Sequence, residues 1–239
     1  MTTIRGHLAE MAAGSSSPEL DYLFTQGHER RFNVGEHIIT EGEGTTYFYD
    51  LLDGTVALAR NGNDGRRQIL AFMGARQILG AASTPNYPNL ATALTEVTAI
   101  CYPRSALEKA LETTPRFASN FRIVLTRILE SAHDHIYTIG QRSAIERVAS
   151  FLLYLRSNQA RFDPAGPRER STHIDLPMTR LDIADFLGLT IETVSRAFSA
   201  LKKQGVITFK DAKACDIADL DRLRRLGGRE DFTDRRGAA

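Results

Sequence analysis

The sequence predicts an α+β fold: an N-terminal β-sandwich or roll, then a long helix, then a C-terminal winged helix-turn-helix. Three observations predict it. Short apolar or alternating runs recur between glycines from His28 to Arg104. From Phe117 to about Ile139 the apolar period becomes helical over a wide arc. Thr179–Phe209 then reads as a helix, a tight turn, a second helix and a strand. The expected division is a flexible segment 1–16, a β-roll 17–115, a long helix 116–140, a winged helix-turn-helix domain 141–226 and a disordered tail 227–239.

The first residues, to about Ser16, are small and polar, so they are expected to be poorly ordered. Ser17 followed by Pro18 is an N-cap with a first-turn proline, which opens a helix around Leu20–Thr25. The runs HIIT, YFYDLL, TVALAR, RQILAFM and TAICYP are then strand-like, with glycine turns between them. Asn61-Gly62-Asn63-Asp64-Gly65 suits a hairpin tip. Ser105 and Glu108 fit a capping box for a short helix ending near Pro115.

The long helix carries two apolar stripes. One runs Phe117, Phe121, Val124, Ile128, and the other Leu125, Leu129, Ala132, Ile136, Ile139. So wide an arc must bury two sides. The second stripe steps by four and three residues, the spacing of a coiled-coil seam. Burial inside a monomer is the alternative. Gly140 interrupts the pattern, and Ser143 with Glu146 caps a further helix with Val148, Leu152 and Leu155 inward. Residues 157–171 read as a polar loop. HIDLP, VITF and the ACDIAD region read as short strands, and Asp219–Leu226 as a last helix.

The most telling stretch is TRLDIADFLGLTIETVSRAFSALKKQGVITF. Thr179 with Asp182 fits a capping box, and Ile183, Ala184 and Leu187 form the apolar stripe of a first helix. Gly188 supplies a residue tolerant of positive φ, and Thr190 caps the second helix. Val194, Phe198 and Leu201 face inward, and Gly205 ends the helix. Glu192, Ser195 and Arg196 fall on the opposite face near its N-terminus, the end that meets base edges in helix-turn-helix docking. Arg196 can donate twice to guanine O6 and N7, and Glu192 can accept from cytosine N4. The plainer alternative is a solvated face with a Glu192–Arg196 pair at i,i+4.

This segment resembles the DNA-binding domain of the cyclic-AMP receptor/fumarate-nitrate-reduction (CRP/FNR) regulator family. DIADFLGLTIETVSRAFSAL, with E-T-V-S-R as its most specific motif, is similar to the FixK-like branch. The resemblance is strong over roughly residues 140–226 and lies mainly in pattern over 28–139. It implies a double-stranded β-helix (a jelly roll of the cyclic-nucleotide-binding type), a dimerisation helix and a winged helix-turn-helix. It further implies a homodimer whose Glu192, Ser195 and Arg196, with Ile191 beside them, read TTGA half-sites in TTGA-N6-TCAA. Thr179, Arg180, Thr190, Thr193, Lys202 and Lys203 would meet the DNA backbone. The seam would draw on Phe117, Phe121, Val124, Leu125, Ile128, Leu129, Ala132, Ile136 and Ile139. By the same analogy the regulator activates through RNA polymerase.

Composition narrows the remaining classes. With 239 residues and a net charge of +1, the chain has no global polycationic signature, and Arg180, Lys202, Lys203, Lys210 and Lys213 supply a local basic surface. No run is apolar enough to span a membrane, and no secretory layout opens the chain, so a cytoplasmic location is expected. Cys101 and Cys215 are the 2 cysteines, too few for an iron–sulfur cluster and without metal-ligand spacing. Gln77–Val97 contains no Lys or Arg, and Ala75-Arg76-Gln77 replaces the family's Pro-Gly-Asp, which argues against a cyclic nucleotide. No cofactor is expected. Haem stays open as an alternative, since His7, His28, His37, His133, His135 and His173 could each supply an axial ligand. A helix-turn-helix that contacts protein instead of DNA is a third reading. Hydrolase, phosphate-loop and zinc-protease motifs are absent, so no enzyme is expected.

Overall fold

The computed structural model describes residues 6–162, 172–211 and 213–228. The chain divides between residues 132 and 133 into two units.

In the first unit, eight antiparallel strands make two four-stranded sheets. One has the order β1-β8-β3-β6, from His28–Phe32, Val97–Pro103, Tyr47–Asp53 and Ile78–Leu79. The other has the order β2-β7-β4-β5, from His37–Ile39, Leu90–Ala93, Val56–Asn61 and Arg67–Met73. This is the expected jelly roll. The hairpin tip between β4 and β5 is also as expected, closed by Gly62 N–H to the Arg66 carbonyl at 2.7 Å. Three strands carry no alternating apolar signal. β1 is a charged edge strand, HERRF, with only Phe32 buried, a pattern that discourages edge pairing. β6 has two residues, and β7 buries small alanines.

The pleat sorts side chains between two cores. Phe32, Tyr49, Leu51, Val97 and Cys101 point between the sheets. Their neighbours Phe48 and Tyr102 point outward and are covered by helices. Those helices are α1 His7–Met11, α2 Pro18–Gln26, α3 Arg104–Thr113 and the start of α4, Pro115–Gln141. Ser17 caps α2 as expected, its hydroxyl accepting from Leu20 N–H at 3.1 Å.

Two expectations fail here. The segment before Ser17 is not loose from Gly6 onward. α1 buries Leu8 completely and Met11 almost so, and the Asp50 carboxylate of β3 accepts from Leu8 N–H at 2.8 Å. Arg76 pairs with Glu10, and Asn120 Nδ2 donates to the Met11 carbonyl at 2.7 Å. Residues 1–5 lie outside the described residues. Nor does a Ser105–Glu108 box start α3. The helix begins at Arg104 with no side-chain cap, and Glu108 accepts from Arg104 Nε at 2.6 Å.

α4 runs through Gly140 to Gln141, so the glycine does not interrupt it. Phe117 and Phe121 are buried in their own unit's helical core, with Val124 packed against it. These three therefore do not form an exposed seam. Leu125, Ile128, Leu129, Ala132 and Ile136 are exposed, and Ile139 is half-buried. Ile123 and Tyr137 are exposed apolar residues on the same helix.

The second unit continues with α5, Ala144–Phe162, where Ser143 N–H donates to Glu146 at 2.8 Å. Residues 157–162 belong to this helix and not to a polar loop, and 163–171 lie outside the described residues. β9 His173–Asp175, α6 Arg180–Leu187, α7 Ile191–Lys203, β10 Ile207–Phe209, β11 Ala214–Ile217 and α8 Leu220–Gly227 follow, the strands ordered β10-β11-β9. Gly227 is not the start of a tail. It packs against α5 so closely that a Cβ there would sit 2.5 Å from Leu153 Cδ1. Residues 229–239 lie outside the described residues.

Candidate nucleic-acid interface

The reading unit is built from short-range signals. Thr179 and Asp182 form a reciprocal capping box: Asp182 N–H donates to Thr179 Oγ1 at 3.1 Å, and Thr179 N–H donates to Asp182 Oδ2 at 2.8 Å. α6 ends at Gly188, whose φ of 61° lies in the left-handed region. Leu189 N–H then reaches back to the Ala184 carbonyl at 3.1 Å, which closes the turn. Thr190 caps α7 by accepting from Thr193 N–H at 3.2 Å. Val194, Ala197, Phe198 and Leu201 bury one face of α7.

The opposite face carries Ile191, Glu192, Ser195 and Arg196, all exposed. Among the described residues no Glu192–Arg196 ion pair forms. Arg196 Nη2 instead donates to Thr193 Oγ1 at 3.3 Å, which leaves the other guanidinium donors for a partner. Glu192 sits in the first turn, where the helix dipole favours a carboxylate, and Lys202 and Lys203 sit in the last, where it favours cations.

The residues expected at the DNA backbone divide into two kinds. Lys202 and Lys203 are exposed. Thr179, Thr190 and Thr193 are engaged in caps: the Thr179 and Thr190 hydroxyls accept from backbone N–H groups, and the Thr193 hydroxyl bonds to Thr190 Oγ1 and accepts from Arg196. Arg180 is half-buried, its guanidinium 3.8 Å from the Phe198 ring centroid and 5.5 Å from that of Phe209. Burial holds its pKa below the usual arginine value. A shallow cleft of about 360 Å³ places Arg180 and Lys202 beside Ser195 and Ser199. Ser199 escapes a reading of E-T-V-S-R alone, although it lies one turn beyond Ser195 on the same face. On the wing, Lys210 approaches Asp216 at 3.6 Å, and the 2.8 Å His173–Asp216 hydrogen bond raises the His173 pKa.

Two supporting arginines are invisible to motif reading because their partners are distant in sequence. Arg222 of α8 donates to the carbonyl and side chain of Gln204 at 3.0 and 3.1 Å, at the end of α7. Arg147 of α5 reaches the end of α6.

In the jelly roll, Gln77–Val97 offers no cationic side chain to a cyclic phosphate. The flanking arginines are engaged. Arg76, at φ 59°, pairs with Glu10, and Arg104 holds Thr45 Oγ1 at 2.6 Å as well as Glu108. The donor set in this segment does not fit that ligand.

A jelly roll, a long helix with an exposed apolar stripe and a winged helix-turn-helix together define a two-domain DNA-binding regulator. Residues 29–114 match the cyclic nucleotide-binding domain and residues 146–226 the Crp-like helix-turn-helix domain. The chain belongs to the CRP/FNR family of transcription regulators. It is similar to the nitrogen fixation regulation protein FixK of Bradyrhizobium diazoefficiens, 37% identical over 181 residues, covering 76% of this chain and 74% of that protein. FixK of Rhizobium meliloti is 34% identical over 195 residues, covering 82% and 85%. The structure of FixK2 from Bradyrhizobium japonicum superposes with a TM-score of 0.75 at 35% identity, covering 84% of this chain and 96% of that one. No helix of the described residues is long and apolar enough to cross a membrane.

Proposed function

We propose that this chain is a cytoplasmic, homodimeric transcription activator that reads TTGA-N6-TCAA without a cyclic nucleotide. The observation that carries the reading is the exposed Glu192, Ser195 and Arg196 surface on a capped recognition helix, with Arg196 not neutralised by Glu192. Arg196 pairs with the guanine of TTGA, and Glu192 accepts from the cytosine opposite. The Leu125, Leu129, Ala132 and Ile136 stripe supports a two-fold seam, because a water-exposed row at coiled-coil spacing wants a partner. A two-fold dimer presents its recognition helices to half-sites about 34–36 Å apart, which suits half-site centres about ten base pairs apart. The absent cation at Gln77–Val97 supports independence from cyclic nucleotide. The names of the FixK relatives support control of nitrogen-linked genes, and promoter activation would proceed through RNA polymerase.

Fluorescence anisotropy of the purified chain on TTGA-N6-TCAA and scrambled duplexes, with and without cyclic AMP, tests the reading. Tight, nucleotide-independent preference for the palindrome is expected. Binding to neither duplex would leave protein contact as the role of the helix-turn-helix. Leu129→Glu with Ile136→Lys should yield monomers by sedimentation, with weak, salt-sensitive DNA binding indifferent to half-site spacing. A dimer that still discriminates spacing would place the seam elsewhere.

A further inference from the structure

The corner between α4 and the reading unit is held by side chains that carry no role in base recognition. Arg147 lies in the first turns of α5. Its Nε donates to the Arg142 carbonyl at 2.8 Å, in the short link after α4. Its Nη1 donates to the Leu187 carbonyl at 3.0 Å and lies 3.5 Å from the Gly188 carbonyl. One planar guanidinium thus gathers carbonyls from two places. The Leu187 and Gly188 carbonyls lie at the end of α6, where a helix leaves acceptors unsatisfied and a cation is favoured.

The residue just before is held from the same corner. His135, in the last two turns of α4, stacks on the Phe186 ring with centroids 4.1 Å apart and planes 16° apart. Three consecutive residues, Phe186, Leu187 and Gly188, are therefore fixed by the α4–α5 corner. The turn beyond them has no slack: Leu189 N–H is bonded to Ala184, and Thr190 already caps α7. The direction of α7 follows from where these three residues are held.

We propose that Arg147 is a positioning residue for DNA reading, tying the end of α6 to the α4–α5 corner and so fixing the angle at which each recognition helix leaves the last turns of α4. The proposal rests on the operator reading above. In a two-fold dimer the angle sets the separation of the two recognition helices, so its loss is felt as tolerance of wrong spacing, not as misreading of a base. Lysine is a partial substitute only, because a single ammonium cannot reproduce the planar fork that spans the link and the helix end.

Full-length Arg147→Met and Arg147→Lys are compared with wild type on duplexes carrying N5, N6 and N7 spacers, on scrambled DNA and on half-site base substitutions. Arg147→Met should lose about tenfold on N6, the scale of one charge-assisted hydrogen bond, with little change on N5 and N7. The ranking of bases within a half-site should not move, and Arg147→Lys should fall between. A merely structural role would lower the melting temperature and the active fraction while the spacing ranking stayed as in wild type, and that result overturns the proposal. If wild type itself does not prefer the palindrome, the operator reading fails separately. Amide exchange then decides the corner: Leu189–Thr193 should exchange faster in both variants, and unchanged exchange overturns the proposal.

Discussion

Arg196→Ala separates base reading from phosphate attraction more sharply than any other single change. Arg196 is exposed and makes one 3.3 Å bond to Thr193, so its removal should move folding stability by less than about 0.5 kcal/mol. A bidentate arginine–guanine contact is worth about 1–3 kcal/mol, and a dimer makes two, which gives roughly 2–6 kcal/mol on the palindrome. At about 1.4 kcal/mol per decade, that is a loss of roughly 30-fold to 10⁴-fold. Binding to scrambled DNA should weaken far less, because it rests on Lys202, Lys203 and other cations. The dependence of affinity on salt should keep its slope, since a lost phosphate contact would lower it by about 0.9 per site. Anisotropy titrations on both duplexes at several salt concentrations, with thermal melts as the folding control, give all three quantities. Equal weakening on the two duplexes with a shallower salt slope would make Arg196 a phosphate ligand and refute its role as a guanine reader.

Three other substitutions probe different links. Glu192→Ala should flatten discrimination at the G·C pair of each half-site while leaving total affinity nearly unchanged, because removing an acid also relieves repulsion from phosphate; titration against all four base pairs checks this, and an unaltered ranking removes Glu192 from the readout. Leu8→Ala should cost about 2–5 kcal/mol in denaturant unfolding of the first unit, since Leu8 is completely buried; a cost near zero would mean that α1 does not stay docked. Burial holds the His135 pKa below its ordinary 6.5, so the unfolded chain protonates first as pH falls, and this group's contribution to the stability of the second unit falls from about pH 7 downward. His135→Phe keeps a ring on Phe186 and should flatten that loss relative to wild type. The comparison matters because His173, raised by Asp216, contributes with the opposite sign. Identical pH profiles for the two proteins would exclude His135 as the source.

How well each part could be read from sequence follows the range of the contacts that make it. The Thr179–Asp182 box, the left-handed Gly188 and the Thr190 cap each close over four residues or fewer, so the reading unit is written locally. α1 is the opposite case. Its five residues have little helical reason to exist alone, and the group that caps them is Asp50, 42 positions away. Nothing near His7 announces that partner. β1 hides for another reason: an edge strand is selected for charge on its exposed side, so HERRF has the composition of a loop. The supporting arginines Arg147 and Arg222 reach acceptors 40 and 18 positions away, beyond any spacing rule.

α4 shows where periodicity stops being enough. Both of its stripes are apolar at helical spacing, and the period alone cannot tell a stripe that covers its own sheet from one that seeks a second copy. The distinction is set by β3 and β8. Their pleat turns Phe48 and Tyr102 outward beneath Phe117 and Phe121, which commits the first turns of α4 to the chain's own core. Past Val124 the cover ends, and Leu125, Ile128, Leu129 and Ile136 emerge onto the surface. The helix therefore has first turns committed to the chain's own core and, beyond them, an exposed apolar stripe, and only the stripe can answer to another subunit. The disruptive charges belong at Leu129 and Ile136 for this reason. The same charges at Phe117 or Phe121 would unfold the first unit and report nothing about assembly.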